Sequence, residues 1–333
     1  MTSSFTYISY IIFGIYALVI HTVGLWVSRG QKGVKKTAQD YFLASKSLPW
    51  WAIGASLIAA NISAEQMIGM SGSGMAIGLA IATYEWMAAL TLIIVGKYFL
   101  PIFIEKGLYT IPQFIEQRFS NNLKTILAVF WIALFIFVNL TTVLFLGGKA
   151  MDTILGNGDG SMIFPAILAF ALFAAAYSLY GGLAAVAWTD VIQVAMLVIG
   201  GVITTVIALN HVTPDGGIFQ GLDHVYNTAG DKFHMILKKS NPEFMNLPGI
   251  AVLIGGMWIA NLYYWGFNQY IIQRTLAAKS LKESQRGIVF AAFLKLLIPL
   301  FVVIPGIIAF VMFTEPAGTA HIEGASEAFV KAD

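Results

Sequence analysis

The sequence predicts an all-α integral membrane protein, on three observations. Of 333 residues, 58% are hydrophobic and only 11% are charged, and the mean hydropathy is +0.78. An average soluble domain is about a quarter charged. Eight apolar runs are each long enough to cross a hydrocarbon core of about 30 Å as a helix. These runs are 9–28, 50–72, 78–103, 125–148, 162–180, 184–208, 248–271 and 288–313.

The composition also excludes several classes of function. With no Cys there is no disulfide framework, no thiolate nucleophile and no cysteine metal cluster. A net charge of +2, with most basic residues grouped in short loops between the apolar runs, argues against a nucleic-acid partner. No group of Ser, His and Asp marks a water-fed active site, so the sequence does not predict an enzyme.

The first run is expected to remain as an accessory helix, because no Lys or Arg precedes it and it is longer than the apolar core of a signal peptide. Orientation follows from the basic residues, most of which follow runs one, three and seven. Those residues are Arg29, Lys32, Lys35, Lys36, Lys46, Lys106, Arg118, Lys124, Arg274, Lys279, Lys282 and Arg286. The positive-inside rule places them in the cytoplasm and the N-terminus on the extracytoplasmic side.

The order of the runs predicts an inverted repeat. With the accessory helix and its basic loop set aside as 1–48, five runs form a first group over 49–208. An extracytoplasmic loop over 209–247 and two further runs over 248–313 follow, and 314–333 forms an extracytoplasmic tail. Because five is odd, the second group starts on the opposite side of the membrane, as in many secondary transporters. Its remaining helices are expected to lie beyond this sequence.

The second run predicts a broken helix. Asn61, Ser63, Glu65 and Gln66 place four polar side chains within six residues, and several glycines follow. A carboxylate at bilayer depth costs about 2.5 kcal/mol or more, so it needs a partner, a cavity or a function. In secondary transporters the unwound carbonyls of such a helix bind cations, which predicts a solute carrier. The alternative is that these side chains only join neighbouring helices.

Polar side chains also interrupt runs three and seven. Glu85, beside Tyr84, lies about 10 Å from the end of its run, too deep for its side chain to reach the interface. In run seven Asn261, Tyr264 and Asn268 recur at helical spacing, which combines amides with an aromatic ring on one face. This mixture suits a sugar, because amides bond hydroxyls while a ring covers the apolar side. Interface anchoring or packing is the alternative for the aromatic residues.

Two further charged residues keep alternative interpretations. Lys295 is the only charge in run eight and either contributes to a polar site, pairs with a carboxylate or reaches the cytoplasmic surface with its long stem. Asp190, near the inner end of run six, either lies on a cation path or positions the tight turn at 180–183. The sequence alone does not choose between these roles.

Four tracts resemble the sodium:solute symporter family, namely 59–66, 84–86, 181–193 and 260–274. The likeness extends through the whole chain. It implies a leucine-transporter-like inverted-repeat fold in the bacterial inner membrane. It also implies sodium-coupled symport of a galactose- or glucose-type sugar by alternating access.

The resemblance also implies roles for individual residues. Contacts to sugar hydroxyls are implied for Gln66, Glu85, Asn261 and Lys295. Gate positions are implied for Tyr264 with Asn61 on the inner side and for Met70 with Tyr84 on the outer side. Sodium contacts are implied for the carbonyls of Ala59 and Ile62, and Asp190 matches a position on the sodium path. Ala88 stands where the family has a Ser, which leaves the choice of sugar open.

The expected partners are a monosaccharide, sodium and the lipid bilayer, while the sequence leaves the oligomeric state open. Two alternatives remain: a sodium symporter for another small solute such as myo-inositol, and a non-transporting membrane sensor. Glu85 argues against an anionic solute, because its charge would repel one in a low-dielectric cavity. The isolated 333-residue chain is expected to insert into a membrane but not to accumulate sugar, since the family completes its sodium site on later helices.

Overall fold

The computed structural model describes residues 7–27, 29, 37–156, 158–247 and 249–314. Lys32, Lys35, Lys36 and the predicted tail after residue 314 lie outside the described residues. The described chain is nearly all helical. Its α-helices are α1 (Tyr7–Val27), α2 (Ala38–Leu43), α3 (Trp50–Asn61), α4 (Ala64–Ala76), α5 (Thr83–Ile94), α6 (Leu100–Glu105), α7 (Ile111–Arg118), α8 (Asn121–Leu134), α9 (Thr141–Leu155), α10 (Ile163–Val212), α11 (Gly217–Thr228), α12 (Ile250–Ile254), α13 (Gly256–Leu262), α14 (Gln269–Leu276) and α15 (Leu281–Thr314).

Short 3-10 and π segments join several of these helices. The 3-10 segments are Ala44–Lys46, Leu79–Ala82, Gly230–Phe233 and Pro242–Met245, and the π segments are Val95–Phe99, Phe135–Leu140 and Tyr263–Phe267. Some of them make longer continuous rods, so that 79–105 and 121–155 each run without interruption. A π segment adds one residue to a helical turn, and such segments often occur at functional sites.

Five helices in the described residues are long and apolar enough to cross a membrane, or six if the bent stretch 242–267 counts as one. The sequence predicts eight runs, and the difference arises at run two, at run seven and between runs five and six. Runs five and six together make up α10, in which two helices meet at a kink at Gly182, where the backbone is not helical, with φ 60° and ψ −152°. A Cβ atom there would lie 2.5 Å from the carbonyl oxygen of Tyr41, so glycine meets both a conformational and a spatial requirement.

The predicted break in run two is present. Helix α3 ends at Asn61, and Ile62 is extended, with φ −82° and ψ 110°. The chain resumes as α4 at Ala64. The last four backbone carbonyls of a helix lack N–H donors within that helix, because no further turn follows them. The backbone N–H of Ile62 takes only the first of them, at Ile58.

Run seven is more interrupted than the sequence predicts. Instead of one helix over 248–271, the described chain has α12, a break at Gly255, α13, a π segment and then α14. Asn268 separates the last two with extended backbone, at φ −80° and ψ 122°. Its Oδ1 atom is buried and has no hydrogen-bond partner among the described residues. Glycine weakens helix at the first break, and Asn competes with helical hydrogen bonding at the second.

The chain divides into two compact units. Unit 1 contains 1–65, 92–194 and 263–291, and unit 2 contains 66–91, 195–262 and 292–333. In unit 1, Ile20 of α1 packs with Tyr177 and Ala185 of α10. In unit 2, the largest described cluster is built on the apolar second half of α15. Its buried members are Ala82, Leu209, Val212, Val225, Ala229, Val303, Ile304, Ile307, Ile308 and Val311.

Within unit 2, α4 and α15 approach so closely that their backbones touch. A Cβ atom on Gly74 would lie 2.6 Å from the carbonyl oxygen of Val303. A Cβ atom on Gly306 would collide with the carbonyl oxygen of Ser71 and lie 2.9 Å from the N atom of Met75. The Ser71 hydroxyl donates to a carbonyl of α15 at 2.7 Å. Small residues permit this approach, the usual means of joining helices in a membrane.

Candidate substrate and ion sites

Unit 2 contains a polar cluster of Gln66, Glu85 and Lys295, which come from α4, α5 and α15; Gln66 is half-buried, and the two charged residues are buried. The amide of Gln66 donates to Oε1 of Glu85 at 2.7 Å. The ammonium of Lys295 donates to Oε2 of the same carboxylate at 2.5 Å. Glu85 is 4% exposed and Lys295 is 1% exposed. We call these three residues the Glu85 cluster.

The geometry of this cluster explains how a carboxylate and an ammonium can lie inside a membrane protein. A buried charge is stable only when it is paired and hydrogen-bonded. Glu85 satisfies this condition with one donor on each oxygen, and its position in the first turn of α5 favours a negative charge. The sequence leaves several roles open for Lys295, and in the structure Lys295 pairs with the carboxylate of Glu85.

The other residues implied in sugar binding and in the outer gate occupy separate positions in unit 2. Asn261 is 9% exposed and donates from its amide to the carbonyl of Met257, one turn earlier in α13. Met70 is half-buried and packs against the cluster on α15. Tyr84 is 45% exposed. The side chain of Glu65 is outside the described residues.

The residues implied in the inner gate meet inside unit 1. The Asn61 amide donates to the Tyr264 hydroxyl at 3.1 Å, which joins the end of α3 to the π segment. The Tyr270 hydroxyl donates to the same oxygen at 2.9 Å. The ring of Trp265 lies edge-on to Tyr264, with centroids 5.0 Å apart. Tyr264 is therefore held by two donors and a neighbouring ring.

Ala59 and Ile62, the carbonyls implied in sodium binding, lie at the break between α3 and α4. Ala59 is in the last turn of α3 and is half-buried, whereas Ile62 is buried. Because Ile62 is extended, its carbonyl and that of Ala59 no longer belong to a regular helical ladder. Unwound carbonyls of this kind can replace part of the hydration shell of a cation.

Asp190 belongs to a second buried cluster, with Ser56 of α3 and Arg274 of α14. The Ser56 hydroxyl donates to Oδ2 of Asp190 at 2.5 Å. Nη2 of Arg274 donates to the same oxygen at 3.3 Å, and its Nε donates to the Ser56 hydroxyl at 2.8 Å. We call these residues the Asp190 cluster. They lie within unit 1, and all three are buried.

Sequence reasoning missed Ser56 and Tyr270 as site residues and assigned Arg274 only to the basic inner side. Ser56 is a lone hydroxyl in an apolar run, where packing between helices is the ordinary interpretation. One signal was available, because Tyr270 and Arg274 are four residues apart and therefore share a helix face. That face also carries a charge next to an apolar run, which predicts a partner.

The amino-acid sequence of the chain is similar to those of known membrane transporters. The model of the sodium:solute symporter family matches residues 41–329. A sodium/glucose cotransporter of Vibrio parahaemolyticus is 66% identical over 311 residues, or 93% of this chain and 56% of the relative. Sodium/glucose cotransporter 1 of Mus musculus is 33% identical over 90% of this chain and 46% of its own length. Sodium/myo-inositol cotransporter 2 of Bos taurus is 33% identical over 93% of this chain and 46% of its own length.

A solved structure supports the same relationship. A Na+-coupled sialic acid symporter, in a substrate-bound outward-open state, matches with a TM-score of 0.79 at 25% identity. The match covers 95% of this chain and 64% of the other. The chain spans about half the length of the curated relatives described above. The fold is leucine-transporter-like, as the sequence predicts, and the protein is a multi-pass membrane protein. The chain belongs to the sodium:solute symporter family.

Proposed function

We propose that this chain forms part of a sodium-coupled symporter for a galactose- or glucose-type sugar. The observation that carries the proposal is the Glu85 cluster, in which an amide, a carboxylate and an ammonium lie inside a membrane protein. These groups can exchange their mutual hydrogen bonds for bonds to sugar hydroxyls. The sodium/glucose cotransporter of Vibrio parahaemolyticus, at 66% identity, supports sodium and glucose as the solutes.

The proposed mechanism is alternating access. Gln66, Glu85, Asn261 and Lys295 would bind the sugar, and Tyr264 with Asn61 would close the inner side. Met70 and Tyr84 would belong to the outer gate. The carbonyls of Ala59 and Ile62 would contribute to the sodium site, and Asp190 would lie on the sodium path. On this proposal the protein carries solutes and is not an enzyme.

The proposed setting is the inner membrane of a bacterium, with the N-terminus extracytoplasmic. The support is the distribution of basic residues, since the loops after runs one, three and seven share one side. The bacterial assignment follows the Vibrio relative. A cysteine-labelling map that placed Lys279 and residue 2 on the same side of the membrane would contradict this orientation.

A second candidate is a sodium symporter for myo-inositol. It is favoured by a specific observation, because sodium/myo-inositol cotransporter 2 of Bos taurus is 33% identical to this chain, like the Mus musculus glucose relative. Both solutes are neutral and rich in hydroxyl groups. The Glu85 cluster could accept either, so a comparison of uptake must decide.

We predict that the full-length protein takes up galactose or glucose down a sodium gradient. The reason is that sodium bound at the α3–α4 break and sugar bound at the Glu85 cluster would share one transport cycle. Uptake into proteoliposomes should be measured with labelled galactose, glucose, myo-inositol and an amino acid, with sodium replaced by potassium as the control. Sugar uptake that is indifferent to this replacement would exclude sodium coupling. Binding without uptake would favour a membrane sensor.

We also predict that Glu85→Gln and Asn261→Ala each weaken sugar affinity by about 1–3 kcal/mol, because each leaves a buried polar partner unpaired. Tyr264→Phe keeps the ring and should lose less. Equilibrium binding of labelled sugar to the purified full-length variants measures these changes. Unchanged affinity in both polar variants would assign Glu85 and Asn261 to helix packing instead.

A further inference from the structure

Within unit 1, a hydrogen-bonded path joins Tyr264, the proposed gate residue, to the Asp190 cluster. The connecting residue is Tyr270, in the first turn of α14. Its hydroxyl donates to the hydroxyl of Tyr264 at 2.9 Å. Its backbone carbonyl accepts from Nη1 of Arg274, one turn later. Tyr270 therefore contacts the gate through its side chain and the Asp190 cluster through its main chain.

The other end of this path is the buried guanidinium of Arg274. The guanidinium of Arg274 makes three contacts, to Tyr270, to the Ser56 hydroxyl and to the carboxylate of Asp190. Both charged side chains are 9% exposed. A buried charge pair has little freedom, because losing one contact leaves a charge without compensation. Displacement of the guanidinium from Asp190 would therefore also alter its contact with the carbonyl of Tyr270.

On the side of Tyr264, the path crosses an interruption in the helical backbone. Between Tyr264 and Tyr270 the chain passes from a π segment through extended Asn268 into α14. The Oδ1 atom of Asn268 is buried and lacks a hydrogen-bond partner in the described part of the chain. A residue with extended backbone and an unsatisfied buried acceptor can change its dihedral angles at less cost than a residue within a regular helix. The rings of Tyr264 and Tyr270 can thus move relative to each other.

We infer that Tyr270 is a positioning residue that couples the orientation of Tyr264 to the state of the Asp190 cluster. A cation that pairs with Asp190 competes with Arg274, and Tyr270 transmits the resulting displacement to the gate hydroxyl. The inference deepens the proposed function, on which it rests for the roles of Tyr264 as gate and Asp190 as part of the ion path. The coupling itself is a property of unit 1 and can be measured without transport.

The decisive variant is Tyr270→Phe in the full-length protein, which removes one hydroxyl and keeps the ring. Tyr263→Phe is the matched control, because Tyr263 lies in the same π segment as Tyr264. Its ring packs on that of Trp131, with the ring centroids 5.9 Å apart. Backbone hydrogen exchange of the 257–276 segment, in nanodiscs without sodium or sugar, provides the first measurement. Tyr270→Phe should raise exchange around Tyr264 by about fivefold, as expected for the loss of one neutral hydrogen bond. Tyr263→Phe should leave it unchanged.

A double-variant cycle tests whether Tyr270 acts through Tyr264. In a Tyr264→Phe background, Tyr270→Phe should have no further effect on exchange around position 264. An effect of equal size in both backgrounds, or an equal effect of Tyr263→Phe, would overturn the inference. Asp190→Asn provides a second route if Tyr270→Phe folds poorly. It should raise exchange at 263–267 as well, and unchanged exchange there would also overturn the coupling.

Transport separates this inference from the proposed function. In a sodium-driven sugar uptake assay, Tyr270→Phe should shift the sodium concentration for half-maximal uptake by about fivefold, while Tyr263→Phe should not shift it. If the parent protein takes up no sugar with sodium, the proposed function fails, yet the exchange cycle still decides the coupling. If uptake is sodium-driven and the exchange cycle is additive, the proposed function stands and the role of Tyr270 is refuted.

Discussion

Lys295→Met is expected to destabilise the folded protein by about 3–5 kcal/mol, the cost of leaving one partner of a buried ion pair alone. Methionine replaces most of the volume of the lysine stem but cannot donate to Glu85. Of its hydrogen bonds with described residues, the carboxylate, which is 4% exposed, would then keep the one from Gln66. Urea titration of the full-length protein in nanodiscs, at constant lipid composition, measures the change in the free energy of unfolding.

The matched control for this variant removes both charges. Glu85→Gln combined with Lys295→Met leaves no charge in the Glu85 cluster, and uncharged replacements of similar volume are often neutral or stabilising. The double variant should therefore recover most of the stability that Lys295→Met loses. It should not recover sugar binding. Parental stability in the single variant would mean that water or another group compensates Glu85.

Gly306→Ala is expected to have the second large effect. The added Cβ would collide with the carbonyl oxygen of Ser71 in α4, and a backbone atom cannot turn aside as a side chain can. Overpacking typically costs about 1–3 kcal/mol, and we expect the upper end or more because the helices must separate. Thermal inactivation of purified protein and the yield of folded protein in membranes measure the effect.

Gly72→Ala is the control for this steric argument. Gly72 lies in the same helix as Gly74, and a Cβ atom there would meet no described atom within 4 Å. Alanine also favours helix by about 1 kcal/mol over glycine. Gly72→Ala should thus be neutral or slightly stabilising, while Gly74→Ala should behave like Gly306→Ala. Equal loss in all three variants would show that helix flexibility, and not close contact, requires these glycines.

The sequence predicts features of the site that follow from the local cost of burying polar groups in a membrane. A carboxylate and several polar groups inside an apolar run require a break or a partner, and the break near Ile62 follows this rule. The pairing of Lys295 with a carboxylate is one of the alternatives that the sequence leaves open. The Asp190 cluster could not be predicted in the same way. Ser56 lies 134 residues from Asp190 and 218 residues from Arg274, so nothing in the local pattern joins them. Only tertiary packing brings such residues together.

The interruption at Asn268 was missed for a different reason. Apart from Asn261, the residues from 257 to 267 are apolar, aromatic or glycine, which is the composition of part of an ordinary spanning helix. A π segment and a single extended residue change the direction of side chains without changing composition. Hydropathy therefore cannot detect them. The spacing of Tyr264 and Tyr270, six residues apart, would not place both hydroxyls together on a regular α-helix, yet the structure joins them at 2.9 Å.

On the proposed function, the internal hydrogen bonds of the Glu85 cluster would limit how tightly a solute is held there. Each carboxylate oxygen already accepts a hydrogen bond from the protein. A hydroxyl that displaces the Gln66 amide or the Lys295 ammonium from Glu85 would gain only the difference between two similar bonds. A carrier benefits from this arrangement, because a solute held too firmly would not leave on the far side. Weak affinity with strict chemical selection is the expected result, since a solute without hydroxyl groups would break the internal bonds and replace none of them.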